Sequence, residues 1–505
     1  MNKLPTFLSI CLISALLISC GGGGGGSSSA APTTTPTVTP STSSFFTLVP
    51  NSVTINSAGT DEISIVNVPI DINKDGFDDL VMQFSNTQKI GGQTVNTPCT
   101  NRLVVLINQG NNTFLDKTAT YINGAADLGG CARKARVADF NGDGRLDIVY
   151  AMNQEDGRDI NNLPNLTAQV AALISTGSSY RVSKFGTANF YHSAGFGYNA
   201  TGNPFLVSGG YFNVNNPTQS FTYDQSNNLT TETGVLPAIS PWSFEFIPTG
   251  ATNESTLLIQ PMADTSLPLN SFTFSGYQKG IGGAWSALSN YTPFANAPGT
   301  VSFSPYYSQT YATPQNVVSM NGLYYLSGSG GGIPESCKLK LTPNSSVMTI
   351  FTLAANMIPN YTPNITMDQA RLIEVNKFIG IGISGNTLSP INLNIDNEQY
   401  QYVNSNFFDC VDINNDGYTD LIRYPYNSNG MPYVYLNTKS NSFAYLGQSQ
   451  FPTLPTTITN CGAKQSSMLH DFNRDGIPDL FVWTSNGKNC SSNSYTFYNG
   501  NKLLQ

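Results

Sequence analysis

The sequence predicts an all-β protein made of repeated strand units, and three observations favour this class. Only 11% of the 505 residues are charged, whereas exposed helical surfaces are usually rich in Lys and Glu. Aromatic residues, which are enriched in strands, make up another 11%. One Asp-rich segment also recurs four times, with a short apolar run after each copy, which is typical of repeat architectures.

The charge balance and the histidine content limit the possible functions. The chain has 23 Lys and Arg residues against 31 Asp and Glu residues, a formal net charge of -8. No nucleic-acid partner is therefore expected, because recognition of the phosphate backbone needs a basic surface. The two histidines, His192 and His470, are too few for a three-His zinc site, and a His-based triad would have to use one of them.

The N-terminus predicts export and lipid anchoring. A lysine precedes an apolar run from Phe7 to Ile18, which is too short to cross a bilayer and is typical of a signal peptide. The sequence Leu17-Ile18-Ser19-Cys20 resembles the lipobox of bacterial lipoproteins. This resemblance implies a signal peptide over residues 1–19, lipidation of Cys20 and attachment to the outer membrane of a bacterial cell envelope. An unlipidated secretory signal is the alternative, and either face of the membrane is compatible with the sequence.

The rest of the chain divides into a tether and one folded unit. Residues 20–44 begin with Cys20 and then consist mainly of Gly, Ser, Thr and Pro. This composition is too poor in apolar side chains to form a core, so a flexible linker is expected. Residues 45–505 are expected to form a single domain.

The repeated segment has a fixed pattern of polar and apolar residues. Each copy carries Asp, Asn, Asp, Gly and Asp at positions 1, 3, 5, 6 and 9, with apolar residues at positions 2 and 10. The copies are residues 71–80 (loop 1), 139–148 (loop 2), 412–421 (loop 3) and 471–480 (loop 4).

This spacing predicts a calcium-binding loop. Oxygen atoms at positions 1, 3 and 5 converge on one cation when the chain coils tightly, and Gly at position 6 permits the sharp turn. Position 7 would contribute its backbone carbonyl, and Asp at position 9 would complete an all-oxygen set that suits Ca²⁺ better than Mg²⁺ or Zn²⁺. The candidate ligands are Asp71, Asn73, Asp75, Phe77, Asp79, Asp139, Asn141, Asp143, Arg145, Asp147, Asp412, Asn414, Asp416, Tyr418, Asp420, Asp471, Asn473, Asp475, Ile477 and Asp479.

The sequence after each loop distinguishes it from an EF-hand, which needs Glu at position 12 and a helix on each side. Position 12 is here Met82, Tyr150, Arg423 or Val482, and strand-like runs follow every loop. Four Asp-Gly hairpin turns that bind no ion are the remaining alternative. Against it, three carboxylates on each short empty loop would repel one another.

The four loops resemble, residue by residue, the FG-GAP/VCBS repeat of integrin α-chains and of many exported bacterial proteins. The resemblance implies a β-propeller with about four structural Ca²⁺ ions as its cofactors. The interval between loops 2 and 3 has room for three or four units without such a loop, so seven or eight blades are expected. Closure of the ring removes exposed sheet edges, and residues 45–55 are expected to supply the strand that closes it.

Cysteines outside the signal peptide predict disulfide bonds. Six of them remain once Cys20 carries lipid, and an exported protein folds in an oxidising compartment. The propeller that the resemblance implies favours two disulfide bonds, Cys99 with Cys131 and Cys461 with Cys490. The two remaining cysteines, Cys337 and Cys410, would then form the third.

Three classes of function stay open at this point. The favoured one is a binding or adhesion scaffold for a protein or glycan ligand at the cell envelope, because the calcium ligands are used by the loops themselves. The second is a carbohydrate-binding lectin, with Trp242, Trp285 and Trp483 as candidate sugar platforms. The third is a carbohydrate-active enzyme, but no pair of carboxylates stands out by its spacing, so no catalytic residue is named.

Overall fold

The computed structural model describes the folded unit in segments, and residues 1–44, which include the predicted signal peptide, Cys20 and the linker, lie outside them. The described residues are 45–55, 62–86, 89–90, 93–94, 101–153, 168–189, 191–198, 204–210, 219–223, 229–232, 241–248, 255–261, 275–279, 284–290, 314–317, 323–324, 348–356, 374–384, 387–391, 394–395, 407–424, 432–439, 442–452, 464–485 and 494–504.

Strands make up nearly all of the regular structure of the described residues. The first are β1 (Phe46–Val49), β2 (Val53–Thr54), β3 (Glu62–Ile70), β4 (Asp79–Asn86), β5 (Lys89–Ile90), β6 (Gln93–Thr94), β7 (Asn101–Asn108), β8 (Phe114–Asp116), β9 (Ile122–Asn123), β10 (Cys131–Ala138), β11 (Asp147–Asn153), β12 (Ala168–Ser175) and β13 (Tyr180–Asn189). They continue with β14 (Tyr191–Tyr198), β15 (Pro204–Gly210), β16 (Gln219–Tyr223), β17 (Leu229–Glu232), β18 (Pro241–Pro248), β19 (Ser255–Pro261), β20 (Ser275–Lys279), β21 (Trp285–Ala287), β22 (Pro314–Val317) and β23 (Leu323–Tyr324). The last are β24 (Met348–Asn356), β25 (Glu374–Ser384), β26 (Thr387–Ile391), β27 (Asn394–Ile395), β28 (Phe407–Val411), β29 (Asp420–Tyr424), β30 (Tyr433–Asn437), β31 (Ser442–Leu446), β32 (Lys464–His470), β33 (Asp479–Ser485) and β34 (Ser494–Gly500).

Within the described residues, seven sheets have four or more strands, and the prediction of an all-β protein is confirmed. We number them along the chain. Their strand orders are β2-β8-β7-β4-β3 (sheet 1), β23-β10-β11-β12-β13-β9 (sheet 2), β14-β15-β16-β17 (sheet 3), β18-β19-β20-β21 (sheet 4), β22-β24-β25-β26 (sheet 5), β27-β31-β30-β29-β28 (sheet 6) and β1-β34-β33-β32 (sheet 7). Strands β5 and β6 form a separate hairpin.

The seven sheets contact one another in a closed cycle. Most of these contacts join strands at the start of one sheet to strands at the start of the next, and the last sheet returns to the first. The contacting pairs are β3 with β10, β10 with β14, β14 with β18, β18 with β22, β22 with β28, β29 with β32, and β33 with β3. Each sheet therefore covers its faces with its neighbours, as repeated units must when none can bury its own surface alone.

The N-terminal strand closes this cycle, as expected for residues 45–55. Strand β1 pairs antiparallel with β34, so that Phe46 lies opposite Gly500. The chain then crosses to sheet 1, where β2 pairs with β8. Between the two strands, the carbonyl of Ser52 accepts a hydrogen bond from the backbone N–H of Phe114 at 2.6 Å and its hydroxyl accepts one from Phe497 at 3.2 Å. This short segment thus joins both sides of the junction between sheets 7 and 1, which we call the seam.

The apolar runs that follow the loops are buried on both faces. Leu80 and Met82 of β4 pack in the cluster that fills the seam, while Val81 between them packs in the cluster toward sheet 2. In the seam, the rings of Phe114 and Phe497 stack with centroids 4.3 Å apart. The seam is therefore filled by one continuous hydrophobic cluster. Burial of each such side chain contributes about 1.5–3 kcal/mol.

Helix is confined to short connections in the described part of the chain. One α-helix, α1, covers Thr118–Tyr121, and a 3-10 helix covers Gln448–Gln450. Neither these nor any other helix of the described residues has the length and apolar character needed to cross a membrane.

Candidate metal centres

All four Asp-rich loops occupy the same place in their sheets. Each joins two antiparallel strands, and the residue before position 1 pairs across the ladder with Asp at position 9. The pairs are Ile70 with Asp79, Ala138 with Asp147, Val411 with Asp420 and His470 with Asp479. The predicted order of strand, loop and strand is therefore confirmed, and position 9 is the first residue of the second strand.

Side-chain oxygens at positions 1, 3 and 5 organise the turn. In loop 1, Asp71 accepts hydrogen bonds from the backbone N–H groups of Asp75 and Gly76, both at 3.2 Å. Asn73 Oδ1 accepts from Asp75 N–H at 2.9 Å, and Asp75 Oδ1 accepts from Phe77 N–H at 2.9 Å. The same bonds recur in loops 2, 3 and 4. The repeated residues therefore specify one backbone path.

Two backbone positions in each loop take the left-handed conformation. Gly76 at position 6 has φ +96°, as its predicted role in the sharp turn requires. Position 4 is also left-handed, and there the residue differs from loop to loop. It is Lys74 (φ 60°), Gly142 (φ 73°), Asn415 (φ 54°) or Arg474 (φ 54°). The sequence signal for the left-handed position 4 is weak, because only the Gly and the Asn among these four residues are of types that favour such φ values.

Asp at position 9 is buried and connects its loop to the third strand of the sheet. Asp79 Oδ2 accepts from the N–H of Ile72 at 2.9 Å, and its Oδ1 accepts from Asn108 N–H at 2.8 Å. The other three loops repeat both bonds, with Ser175, Asn437 and Gly500 at the end of the third strand. Sequence reasoning gave this Asp only a ligand role, and the structure adds that it fastens three strands together.

Burial makes the charge of these aspartates costly. It raises the pKa of Asp79, Asp147 and Asp420 to about 7 and that of Asp479 to about 6. Backbone hydrogen bonds lower each pKa, but the Asp at position 5 of the same loop raises it again. A cation in the loop would offset this repulsion.

The donor set fits a hard cation such as Ca²⁺. Each loop offers three carboxylates and one amide oxygen around a tight turn, which are the ligand types that Ca²⁺ prefers. Among the described residues, no three His, Cys, Asp or Glu side chains already stand together as a metal site. In loops 1, 2 and 4 the amide of the Asn at position 3 donates to Oδ2 of the Asp at position 5, as Asn73 does to Asp75 at 2.8 Å. A bound cation would take the place of this exposed hydrogen bond.

The residues at position 7 donate their backbone N–H groups to the loop, and their side chains pack outside it. Phe77 lies against Gly110, and Ile477 lies against Gly500, in the turn or strand end of the same sheet. The ring of Tyr418 lies under the ammonium group of Lys439 at 4.8 Å. Arg145 instead reaches toward the carbonyl of Ile72 in loop 1 at 3.4 Å.

Asn108 is a structural residue of the seam that the sequence analysis did not single out. Its buried amide donates to the carbonyl of Asp78 and, across the seam, to the carbonyl of Phe472, both at 3.2 Å. Its Oδ1 accepts from the N–H groups of Gly110 and Asn112 at 3.1 Å. Asn437 in sheet 6 and Ser175 in sheet 2 stand at the same position. The only sequence signal is one Asn or Ser after an apolar run, with Gly or Lys two residues later.

The four loops form one arc around the ring, because closure places loop 4 beside loop 1. The backbone N–H of Asp78 donates to the carbonyl of Phe472 at 2.9 Å. Lys74 of loop 1 donates to the carbonyl of Gly144 in loop 2 at 2.8 Å. On the other side, Asn415 of loop 3 lies beside Gly476 of loop 4. The order around the ring is therefore loop 3, loop 4, loop 1 and loop 2.

The seam also carries an ion cluster. Asp78 Oδ1 accepts from Arg474 at 2.6 Å, and its Oδ2 lies 2.7 Å from His470 Nε2. Burial raises the pKa of Asp78, but the hydrogen bonds and charges of His470 and Arg474 outweigh it and hold that pKa below its usual value. One of the two histidines thus has a structural partner.

The remaining candidates from the sequence are the disulfide cysteines and the tryptophans. Cys131 is the first residue of β10, and Cys410 lies in β28. Cys99, Cys337, Cys461 and Cys490 lie outside the described residues, so the three predicted disulfide bonds stay predictions. Of the tryptophans, Trp483 is buried in the seam core and Trp285 packs edge-on against Phe205 at 5.3 Å, while the side chain of Trp242 in β18 is not described.

Comparisons with known proteins recover the same repeats. The chain matches the FG-GAP-like repeat family over residues 71–150 and 412–482. No curated protein matches the sequence. Among solved structures, polysaccharide lyase Uly1 is similar at 10% identity and TM-score 0.43, covering 92% of this chain and 98% of that one. The WD40 domain of Pan2 from Neurospora crassa is similar at 8% identity and TM-score 0.39, covering 88% and 91%. BBS1N, solved in complex with ARL6DN, is similar at 10% identity and TM-score 0.39, covering 92% and 98%. The two matched segments contain all four loops, so the similarity to FG-GAP-like repeats covers the parts of the chain that carry them.

Proposed function

We propose that the chain is a calcium-stabilised, seven-bladed β-propeller that serves as a binding scaffold at a bacterial cell envelope. The closed cycle of seven sheets supports the blade number. The observation that carries the calcium proposal is the same buried Asp at position 9 in four equivalent hairpins, with further carboxylates beside it. A buried anion whose nearest acidic neighbours raise its pKa is stabilised by a bound cation.

In this proposal the loops hold Ca²⁺ through the residues at positions 1, 3, 5, 7 and 9. Binding there would fix the hairpin between two strands. Because Asp at position 9 also accepts a hydrogen bond from the end of the third strand, the effect would extend to most of the sheet. The role of the ion is then structural, and stability gained by binding follows the free calcium concentration.

The location follows from the N-terminal sequence. We propose that Cys20 is lipidated and that residues 21–44 form a flexible tether to the outer membrane. As a random coil, this tether has a mean end-to-end distance of roughly 25–30 Å. It leads into β1 at the seam, so the propeller would be held near the membrane with its loops accessible to a protein or glycan ligand. A fold with FG-GAP-like repeats generally serves as a binding scaffold.

Metal analysis of the full chain tests the calcium proposal. We expect about four Ca²⁺ per chain after purification in calcium and desalting, and a large fall in melting temperature when EGTA is added. Asp143→Ala should remove one ion and lower the melting temperature in calcium. In EGTA it should stay close to the parent, because Asp143 is exposed and the loss of its turn bonds is offset by relief of its repulsion of Asp147.

Asp127→Ala is the matched control, since this Asp is exposed and outside the loops. It should leave the calcium content unchanged. A chain without bound calcium, or a melting temperature that EGTA does not alter, would overturn the calcium proposal. The anchor is tested separately by labelling cells with a tagged fatty acid: Cys20→Ser should abolish the label, and label that persists would refute lipidation there.

A further inference from the structure

The ion cluster at the seam links two loops that lie at opposite ends of the sequence. Arg474 is at position 4 of loop 4. Its Nη2 donates to Asp78 of loop 1 at 2.6 Å, and its Nη1 lies 3.6 Å from Oδ2 of Asp71. Asp71 is a candidate calcium ligand of loop 1. One side chain of loop 4 therefore reaches the proposed metal site of loop 1.

The direction in which Arg474 points depends on the turn of loop 4. Its backbone is left-handed, with φ 54°. The next two residues, Asp475 and Gly476, donate their N–H groups to Asp471 at 3.1 and 2.9 Å. Asp471 and Asp475 are candidate ligands of loop 4, so calcium binding in that loop would hold the turn that presents Arg474.

The residue that receives Arg474 is particular to the seam. Position 8 is Asp78 in loop 1 but Leu146, Thr419 and Pro478 in the other loops. Asp78 is further held to loop 4 through its backbone N–H, which donates to the carbonyl of Phe472 at 2.9 Å. Loop 1 is thus attached to loop 4 through both the side chain and the backbone of Asp78, the residue before its position-9 aspartate.

We propose that Arg474 is a positioning residue that couples the calcium sites of loops 4 and 1, so that the two sites fill cooperatively. This inference rests on the proposed calcium function. Filling loop 4 fixes Arg474, which then holds Asp78 and Asp71 in place and reduces the ordering that loop 1 must undergo. The guanidinium also opposes a cation at Asp71 directly. That effect is the smaller one, because this contact is 3.6 Å long and the Arg474 side chain is 49% exposed.

The test is a thermodynamic cycle in the full chain. Asp475→Asn disables loop 4, and the calcium midpoint of loop 1 is read from hydrogen exchange of the peptide that covers residues 71–80. In the parent background, we expect Asp475→Asn to weaken loop 1 by about fivefold to tenfold, at the low end of the usual range for coupled sites. In an Arg474→Gln background, the same change should leave the midpoint of loop 1 unaltered.

Lys439→Gln is the matched control. Lys439 lies 3.5 Å from Asp416 of loop 3, so its removal also takes a positive charge from a candidate ligand, but within one sheet. It should leave loop 1 unaffected. Arg474→Lys keeps the charge and should retain part of the coupling, and melting curves of each variant confirm folding.

The outcomes separate the two proposals. If calcium protects none of the loop peptides in the parent protein, the proposed function fails. If calcium protects them but Asp475→Asn leaves loop 1 unchanged, the coupling is refuted. If Asp475→Asn weakens loop 1 equally with and without Arg474, another route couples the sites and the role of Arg474 is refuted.

Discussion

Asn108→Ala should destabilise the protein by about 2–4 kcal/mol. The change removes the acceptor of the Asn112 N–H, a buried donor whose loss of a partner costs about 1–3 kcal/mol. It also removes the bond across the seam to Phe472, worth about 1 kcal/mol. The carbonyl of Phe472 keeps a second donor, the N–H of Asp78, so no further penalty is counted there.

Urea denaturation followed by tryptophan fluorescence measures this effect, since Trp483 is buried in the seam core. Asn108→Ser should show a smaller loss, because the hydroxyl can still accept the turn bond from the N–H of Gly110, as Ser175 accepts one from Gly177 in sheet 2. Asn111→Ala removes an exposed turn bond and should cost less than about 0.5 kcal/mol. An Asn108→Ala variant as stable as Asn111→Ala would refute the idea that this side chain holds the seam.

Three further predictions concern packing, closure and pH. Gly500→Ala should lower the free energy of unfolding by about 1–3 kcal/mol in thermal melts, because the new Cβ would clash with the backbone carbonyl of Pro478. In the control Gly447→Ala, the new Cβ meets nothing closer than 4.0 Å, so the melting temperature should not change. Phe46→Ala should cost about 3–5 kcal/mol and expose the N-terminal strand to limited proteolysis, while Thr47→Ala, which loses only an exposed bond, should do neither. Burial raises the pKa of the position-9 aspartates from 3.8 to about 6–7, so the folded metal-free protein binds these protons more tightly than the unfolded chain does. The resulting stabilisation is complete below about pH 4 and is lost as the pH rises through 6 and 7. The melting temperature of metal-free protein should therefore fall between pH 5 and 8, excess calcium should suppress the fall, and a rise over that range would contradict the assignment.

The sequence predicted the loops well because their signal is local. Four polar residues and one Gly within nine residues specify the turn, and the apolar residues at positions 2 and 10 are all buried, for example Ile72 and Leu80. The hairpin and its strands then follow from ordinary strand preferences. The left-handed conformation of position 4 was not predicted, because Lys and Arg, which occupy it at Lys74 and Arg474, rarely adopt positive φ.

Contacts between distant parts of the chain could not be predicted in the same way. The partners Asp78 and Arg474 lie on different repeats, and nothing in either segment marks the other. The sheets without a loop present a similar difficulty. The apolar run within β15 is compatible with a strand, but a strand alone does not say to which sheet it belongs. The sequence alone is therefore compatible with either seven or eight units.

Pairing of β1 with β34 sets the order in which the molecule can be completed. Residues 46–49 emerge during synthesis or export long before their partners at 497–500. Until then the first strand has no ladder to join, and the edge of sheet 7 is incomplete. Such distant pairing makes folding slow. A chain interrupted before residue 497 would keep an open edge available to other chains.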